Sequence, residues 1–137
     1  MKTVFALGDK KIYRKEVTAA DSATFDSGMV HPVYATFALA RDAEWACRLF
    51  VLEMKEEGEE GIGTFISVEH LSPALIGETV EFEAIVKTIE RNEIICTYTS
   101  RVGERVIAKG EQGQKILPKA KLDRIFETLE REPRAEH

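Results

Sequence analysis

Thr36-Phe37-Ala38-Leu39-Ala40-Arg41-Asp42-Ala43-Glu44-Trp45-Ala46-Cys47-Arg48-Leu49-Phe50-Val51-Leu52-Glu53-Met54 is the stretch that decides the fold. Ala40, Ala43, Cys47, Phe50 and Met54 recur at helical i, i+3 and i+4 spacing and make one apolar face. Phe37, Leu39, Trp45, Ala46, Leu49, Val51 and Leu52 carry apolar surface most of the way round. A helix of that composition is expected to be enclosed, beginning around 33–36 and stopped by Gly58 and Gly61 near residue 57. Inside it sits a carboxylate, Glu44. An ionised group there must be paired, hydrated at a site, or functional, because unpaired burial is expensive.

On either side of the helix the pattern changes from a period of 3.6 to a period of two. Residues 10–18 alternate as a first strand, and 20–32, small, polar and glycine-containing, read as a surface loop. Residues 62–71 place Thr64, Ile66, Val68 and His70 on one face, and 72–77 form a turn. Residues 79–90 set Val80, Phe82, Ala84 and Val86 against Glu81, Glu83 and Lys87. Arg91-Asn92 closes a hairpin into 93–102, where Ile94, Cys96 and Tyr98 share a face, and Gly103-Glu104 closes a second into 105–117. Ile85, Ile89, Ile95 and Ile107 supply apolar residues to the sheet's other face. Leu122, Ile125, Phe126 and Leu129 mark a short amphipathic C-terminal helix after Pro118. The expected class is α+β, a curved antiparallel sheet wrapped around one long helix, in a single domain over 1–137.

Composition narrows the function classes. Twenty-four acids against nineteen bases give a net charge of -5, which argues against a nucleic-acid surface. Charge interrupts every long apolar stretch, so no membrane span and no secretory h-region is expected. Cys47 and Cys96 have no metal-ligand spacing and no CxxC, and read as reduced core thiols of a cytoplasmic protein. A nucleophilic Cys47 is the rarer alternative. No metal and no resident cofactor are expected.

Three side chains form a set that a hydrolase could use. Thr36 offers a hydroxyl, Glu44 a carboxylate eight residues on, and His70 an imidazole that can take a proton near neutral pH. Each also has a plain structural reading. Glu44 could pair with Arg41 or Arg48, Thr36 could cap the helix, and His70 could be a satisfied core histidine. Gly63 could mark a strand bulge, and His31, beside Pro32, reads as incidental. Helical geometry adds a constraint: eight residues span about 12 Å along a continuous helix. Either Thr36 therefore belongs to the turn before the helix, or one member of the set comes from a second chain.

The segments Val33-Tyr34-Ala35-Thr36, Ala43-Glu44-Trp45-Ala46-Cys47, Gly61-Ile62-Gly63-Thr64, Val68-Glu69-His70 and Leu75-Ile76-Gly77-Glu78-Thr79-Val80 together resemble the hotdog-fold thioesterases related to fluoroacetyl-CoA thioesterase, over roughly 10–118. The resemblance implies the hotdog fold and hydrolysis of an acyl-CoA thioester, with coenzyme A entering only as part of the substrate. It implies Thr36, Glu44 and His70 as a catalytic triad and Gly63 as a substrate-contacting glycine. It also implies a homodimer, or a higher oligomer, with sites near the subunit interface. Two positions depart from the fluoroacetyl-specific pattern. Val30 stands where a lid phenylalanine is expected, and Gln114, a candidate substrate-binding residue, stands where an arginine is expected. Those departures leave the hydrolytic set in place and set the acyl preference apart, small or medium in size. A non-catalytic acyl-CoA or small-metabolite binding protein is the alternative, and a hotdog hydratase a third.

Overall fold

The computed structural model describes residues 1–25 and 27–133. Five strands form the main sheet in the order β1 (Lys10–Glu16), β6 (Thr79–Glu90), β7 (Glu93–Val102), β8 (Arg105–Pro118), β4 (Glu59–Ile66), with the two-residue β5 (Glu69–His70) also on β8. Every pairing is antiparallel. Helix α1 (Thr36–Met54) lies in the curl of the sheet, and α2 (Lys119–Arg131) follows β8. The α+β hotdog architecture is therefore present.

Alternation explains the core. Val80, Phe82, Ala84 and Val86 on β6, and Ile94, Cys96, Tyr98 and Ser100 on β7, are all buried against α1. From the helix, Leu39, Ala43, Ala46, Cys47, Phe50, Val51 and Met54 meet them. Cys47 and Cys96 are free and buried. Contact with the Cys96 thiol, together with burial, pushes the Cys47 thiol far above its ordinary range, so Cys47 is no thiolate nucleophile.

Four features differ from the sequence expectation. The stretch 20–32 is not a plain loop: β2 (Ser22–Phe25) and β3 (Gly28–Tyr34) pair as a separate hairpin, and Ala19–Asp21 forms a 3-10 turn. Apart from Tyr34 its large apolar residues, Phe25, Met29 and Val30, are exposed, so its pattern never registers as a buried strand. Ile107 is fully buried and does not belong to the outer face. Ser100 pairs with Ala108 and Arg101 with Val106, so Ile107 is an extra residue in β8, and the bulge reverses the alternation. The 62–71 strand is broken in two between Ile66 and Glu69. Finally, α1 is enclosed on one side only: Phe37, Trp45 and Leu52 on its outer face are 54%, 40% and 40% exposed.

The break in the strand places His70. Beyond Ile66 the chain lifts over Gly110, with Ser67 held by its amide to the Glu111 carbonyl at 2.9 Å and by the Tyr98 hydroxyl, which donates to the Ser67 carbonyl at 2.6 Å. A Cβ at Gly110 would collide with that carbonyl oxygen, and backbone cannot swing aside as a long side chain can. The expected outcome for Gly110→Ala is a loss of about 1–3 kcal/mol in denaturant unfolding, as for other overpacked sites.

Candidate active site

Thr36 is the first residue of α1, and Ala35 occupies the N-cap with no side-chain cap. The Thr36 hydroxyl is thus spent on something other than capping. It lies 2.9 Å from Nδ1 of His70, which is carried by β5 opposite Ala108. Main-chain bonds bring the two segments together. The Tyr34 amide donates to the Ala74 carbonyl at 2.8 Å, and Val33 bridges Leu75.

Side chains behind this pair make it rigid. Tyr34 is buried and its hydroxyl donates to the Asp42 carboxylate two turns along α1. Arg41 donates to Asp42 at 3.0 Å and to Asp21 at 2.7 Å, and Lys15 lies 3.3 Å from Asp21. The Asp21 carbonyl also accepts from the Ala35 amide at 2.8 Å. Burial alone would raise the Asp21 pKa, but hydrogen bonds from Arg41, Thr18 and Lys15 outweigh it and hold the carboxyl well below the usual carboxylate range. Arg41 is accordingly committed to Asp21 and Asp42 rather than to Glu44.

Thr36 and His70 open onto a cavity of about 680 Å³ whose other walls include Phe25, Val30, His31, Val33, Phe37 and Ala40. Phe25 from the hairpin and Phe37 from α1 meet edge to face at 6.1 Å. A smaller hollow of about 360 Å³ flanks the same pair on the Leu71-Ser72-Pro73 side. His31, read as incidental from its sequence neighbours, is a wall residue. No sequence signal marked it, because the hairpin that presents it was unread.

Nδ1 is the His70 nitrogen facing the hydroxyl. Nε2 is buried on the inner side and has no hydrogen-bond partner among the described residues. Burial lowers the His70 pKa below its ordinary 6.5, with the backbone at Ser72 opposing this only in part. The imidazole is therefore neutral at pH 7, and in the tautomer protonated at Nε2 its Nδ1 accepts from the threonine hydroxyl. The uncapped start of α1, with no acid in its first turn, leaves free N–H groups and a positive dipole end beside the hydroxyl.

The remaining candidates lie elsewhere on the chain. Glu44 is two turns beyond Thr36 on the same continuous helix, about 12 Å along its axis, and accepts from Gln112 Nε2 at 3.1 Å. It is on the exposed side of α1, so the expectation of a carboxylate sealed in apolar surroundings does not hold for one chain. Gly63 lies under Glu44 on β4, opposite Gln114. Gln114 is buried and bonded to Gln112. None of these three lines the Thr36–His70 cavity. No cluster of metal-ligating residues occurs among the described residues.

One long helix held in the curl of an antiparallel sheet defines the hotdog fold. The family model for fluoroacetyl-CoA-specific thioesterase matches residues 17–120, and the chain belongs to that family. A Thermus thermophilus thioesterase superfamily member is 35% identical, with 91% of this chain and 93% of that one covered and a TM-score of 0.87. The fluoroacetyl-CoA thioesterase FlK is 21% identical over 94% of this chain and 98% of its own, with a TM-score of 0.83. A hot-dog-like protein from Thermanaerovibrio acidaminovorans is 20% identical over 95% and 96%, also at 0.83. These last two share the fold. Among curated proteins, none matches.

Titration of the imidazole by NMR should give a His70 midpoint below 6.5, set by burial. A midpoint at or above 6.5 would contradict a neutral base at this position.

Proposed function

We propose that this protein hydrolyses acyl-CoA thioesters carrying a small or medium acyl group, using Thr36, His70 and Glu44. The observation that carries the reading is the Thr36 Oγ1 to His70 Nδ1 contact of 2.9 Å at the floor of a mostly apolar cavity. The acyl group occupies that cavity against Phe25, Val30 and Phe37, and the thioester carbonyl oxygen points at the N–H groups opening α1. Thr36 passes its proton to Nδ1 and attacks the carbonyl carbon, and the C–S bond breaks as the tetrahedral intermediate collapses. The coenzyme A thiol, with a pKa of about 8.5, leaves without a strong acid. The departing thiolate takes that proton from His70. Water then gives a proton to His70 as it attacks the acyl–threonine ester, and His70 returns it to the Thr36 oxygen as the free acid leaves.

Glu44 enters from a second copy of the chain. Among the described residues strand β4 pairs only with β8, so its other edge is open there, and Ile62, Phe65 and Ile66 on it are exposed, as are Trp45 and Leu52 on α1. An open apolar edge of this kind is what natural proteins cover. We infer a homodimer in which the β4 edges meet, so that Glu44 of the partner subunit reaches the Thr36–His70 pair and orients the attacking water. Gly63, beside Glu44, then borders the partner's acyl group. Buried, reduced cysteines support a cytoplasmic setting. No described helix is long and apolar enough to cross a membrane.

Thiol release from an acyl-CoA panel tests the activity. Thr36→Ala, Glu44→Ala and His70→Ala, each still folded, should lose at least about 100-fold in kcat/KM. Mixing His70→Ala with Glu44→Ala chains tests the sharing. Random re-pairing should restore roughly a quarter of parental activity, because half the dimers then hold one intact site. Chains that stay monomeric, or a mixture as inactive as its parts, would overturn the shared site.

A further inference from the structure

Glu44 sits among charges yet takes part in no ion pair among the described residues. Arg48, one turn further on, could have paired with it, but turns to Glu60 at 2.6 Å and to the Gly61 carbonyl at 3.2 Å. Between Arg48 and Glu44 lie two fully buried amides on β8. Gln112 Nε2 donates to Glu44 Oε1 at 3.1 Å and to the Gly113 carbonyl at 2.9 Å. Gln114 Nε2 donates to Gln112 Oε1 at 3.0 Å, and Gln114 Oε1 faces Arg48 Nη1 at 3.5 Å.

The two ends fix the direction of this chain. A carboxylate only accepts, so Gln112 must turn its NH₂ toward Glu44. Its oxygen then needs a donor, which Gln114 supplies. The remaining Gln114 oxygen faces a guanidinium, which only donates. Each amide therefore has one satisfied orientation, and at 1% exposure neither can be replaced by water. Gly63 completes the seat from the other side, since a Cβ there would collide with Glu44 Oε1.

We propose that Gln112 and Gln114 are positioning residues, a two-amide relay anchored on Arg48 that holds the Glu44 carboxylate in one place without neutralising it. The proposal rests on the catalytic reading of Glu44 above. The relay gives Glu44 one fixed oxygen and leaves the other turned to the open face. A direct ion pair with Arg48 would draw the carboxylate down the helix and cancel its charge. The uncharged side chains at 112 and 114 thus have a role beyond filling the core.

Kinetics of Gln112→Met/Gln114→Met, Glu44→Gln and the three-site combination on the best acyl-CoA substrate provide the test. Removing both amides together orphans neither, and methionine keeps the volume. The double variant should lose about 10- to 100-fold in kcat, as misplacement of a reacting group does, with KM within about two-fold of the parent. In the Glu44→Gln background the same two changes should cost almost nothing further. Gly63→Ala, which leaves the amides intact, should dislodge the flexible carboxylate and lower kcat at near-parental Tm in the parent but not in the Glu44→Gln background. That difference separates this from contact with the acyl group, so the test survives if the methionine variant fails to fold. Parental kcat in the double variant or in Gly63→Ala, beside a crippled Glu44→Gln, overturns the relay. An equal loss in both backgrounds does so too. Parental kcat in Glu44→Gln instead overturns the catalytic reading of Glu44 itself.

Discussion

The short main-chain tie between Val33-Tyr34 and Ala74-Leu75 is the constraint from which the site follows. Two amide-to-carbonyl bonds, Tyr34 to Ala74 at 2.8 Å and Ile76 to Pro32 at 3.4 Å, form the Val33–Leu75 bridge that joins the approach to α1 with the exit from β5. Thr36 lies two residues past one end of the tie, and His70 four residues before the other. That short separation in sequence on both sides of the tie holds the Thr36 hydroxyl within 2.9 Å of the His70 ring. The fully buried Tyr34 ring and its bond to Asp42 keep the tie in register with the helix. Burying Asp21 and Asp42 is tolerable only because Arg41 and Lys15 meet them.

Helix α1 has two tasks that pull in different directions. Its inner face packs the core, with Leu39, Ala43, Phe50 and Val51 fully buried. Its outer face keeps Phe37, Trp45 and Leu52 at the surface next to an unpaired strand edge. A chain that buried both faces by itself would close off the cavity and the Glu44 carboxylate. Leaving one face apolar and open is consistent with a molecule whose site is finished by a second copy. The start of the same helix has no side-chain cap, so its N–H groups and positive dipole end face the Thr36 hydroxyl.

Much of the frame was legible in residue order. Strands β6 and β7 and helix α1 carry clean periods, because each has one face against a common core. The hairpin β2–β3 was not legible. Most of its side chains line a cavity and only Tyr34 is buried in the core, so nothing repeats, and His31 was read as incidental with it. Bulges were equally invisible. One extra residue, Ile107, exchanges faces with no change in composition, and the lift over Gly110 splits a strand that reads as continuous.

Residue types and spacing determined the helix-and-sheet class and the apolar faces, and they singled out Thr36, Glu44 and His70 as candidates. These are local properties, set by periodicity and by the cost of placing polar groups in apolar runs. Tertiary structure decided which of them meet. It set Thr36 against His70 across 34 positions, and it fastened Glu44 to Gln112 across 68. It also turned Arg41 and Arg48 away from the carboxylate that both could have reached. Contacts so distant in sequence depend on strand register and bulge position, and no window of neighbouring residues encodes either.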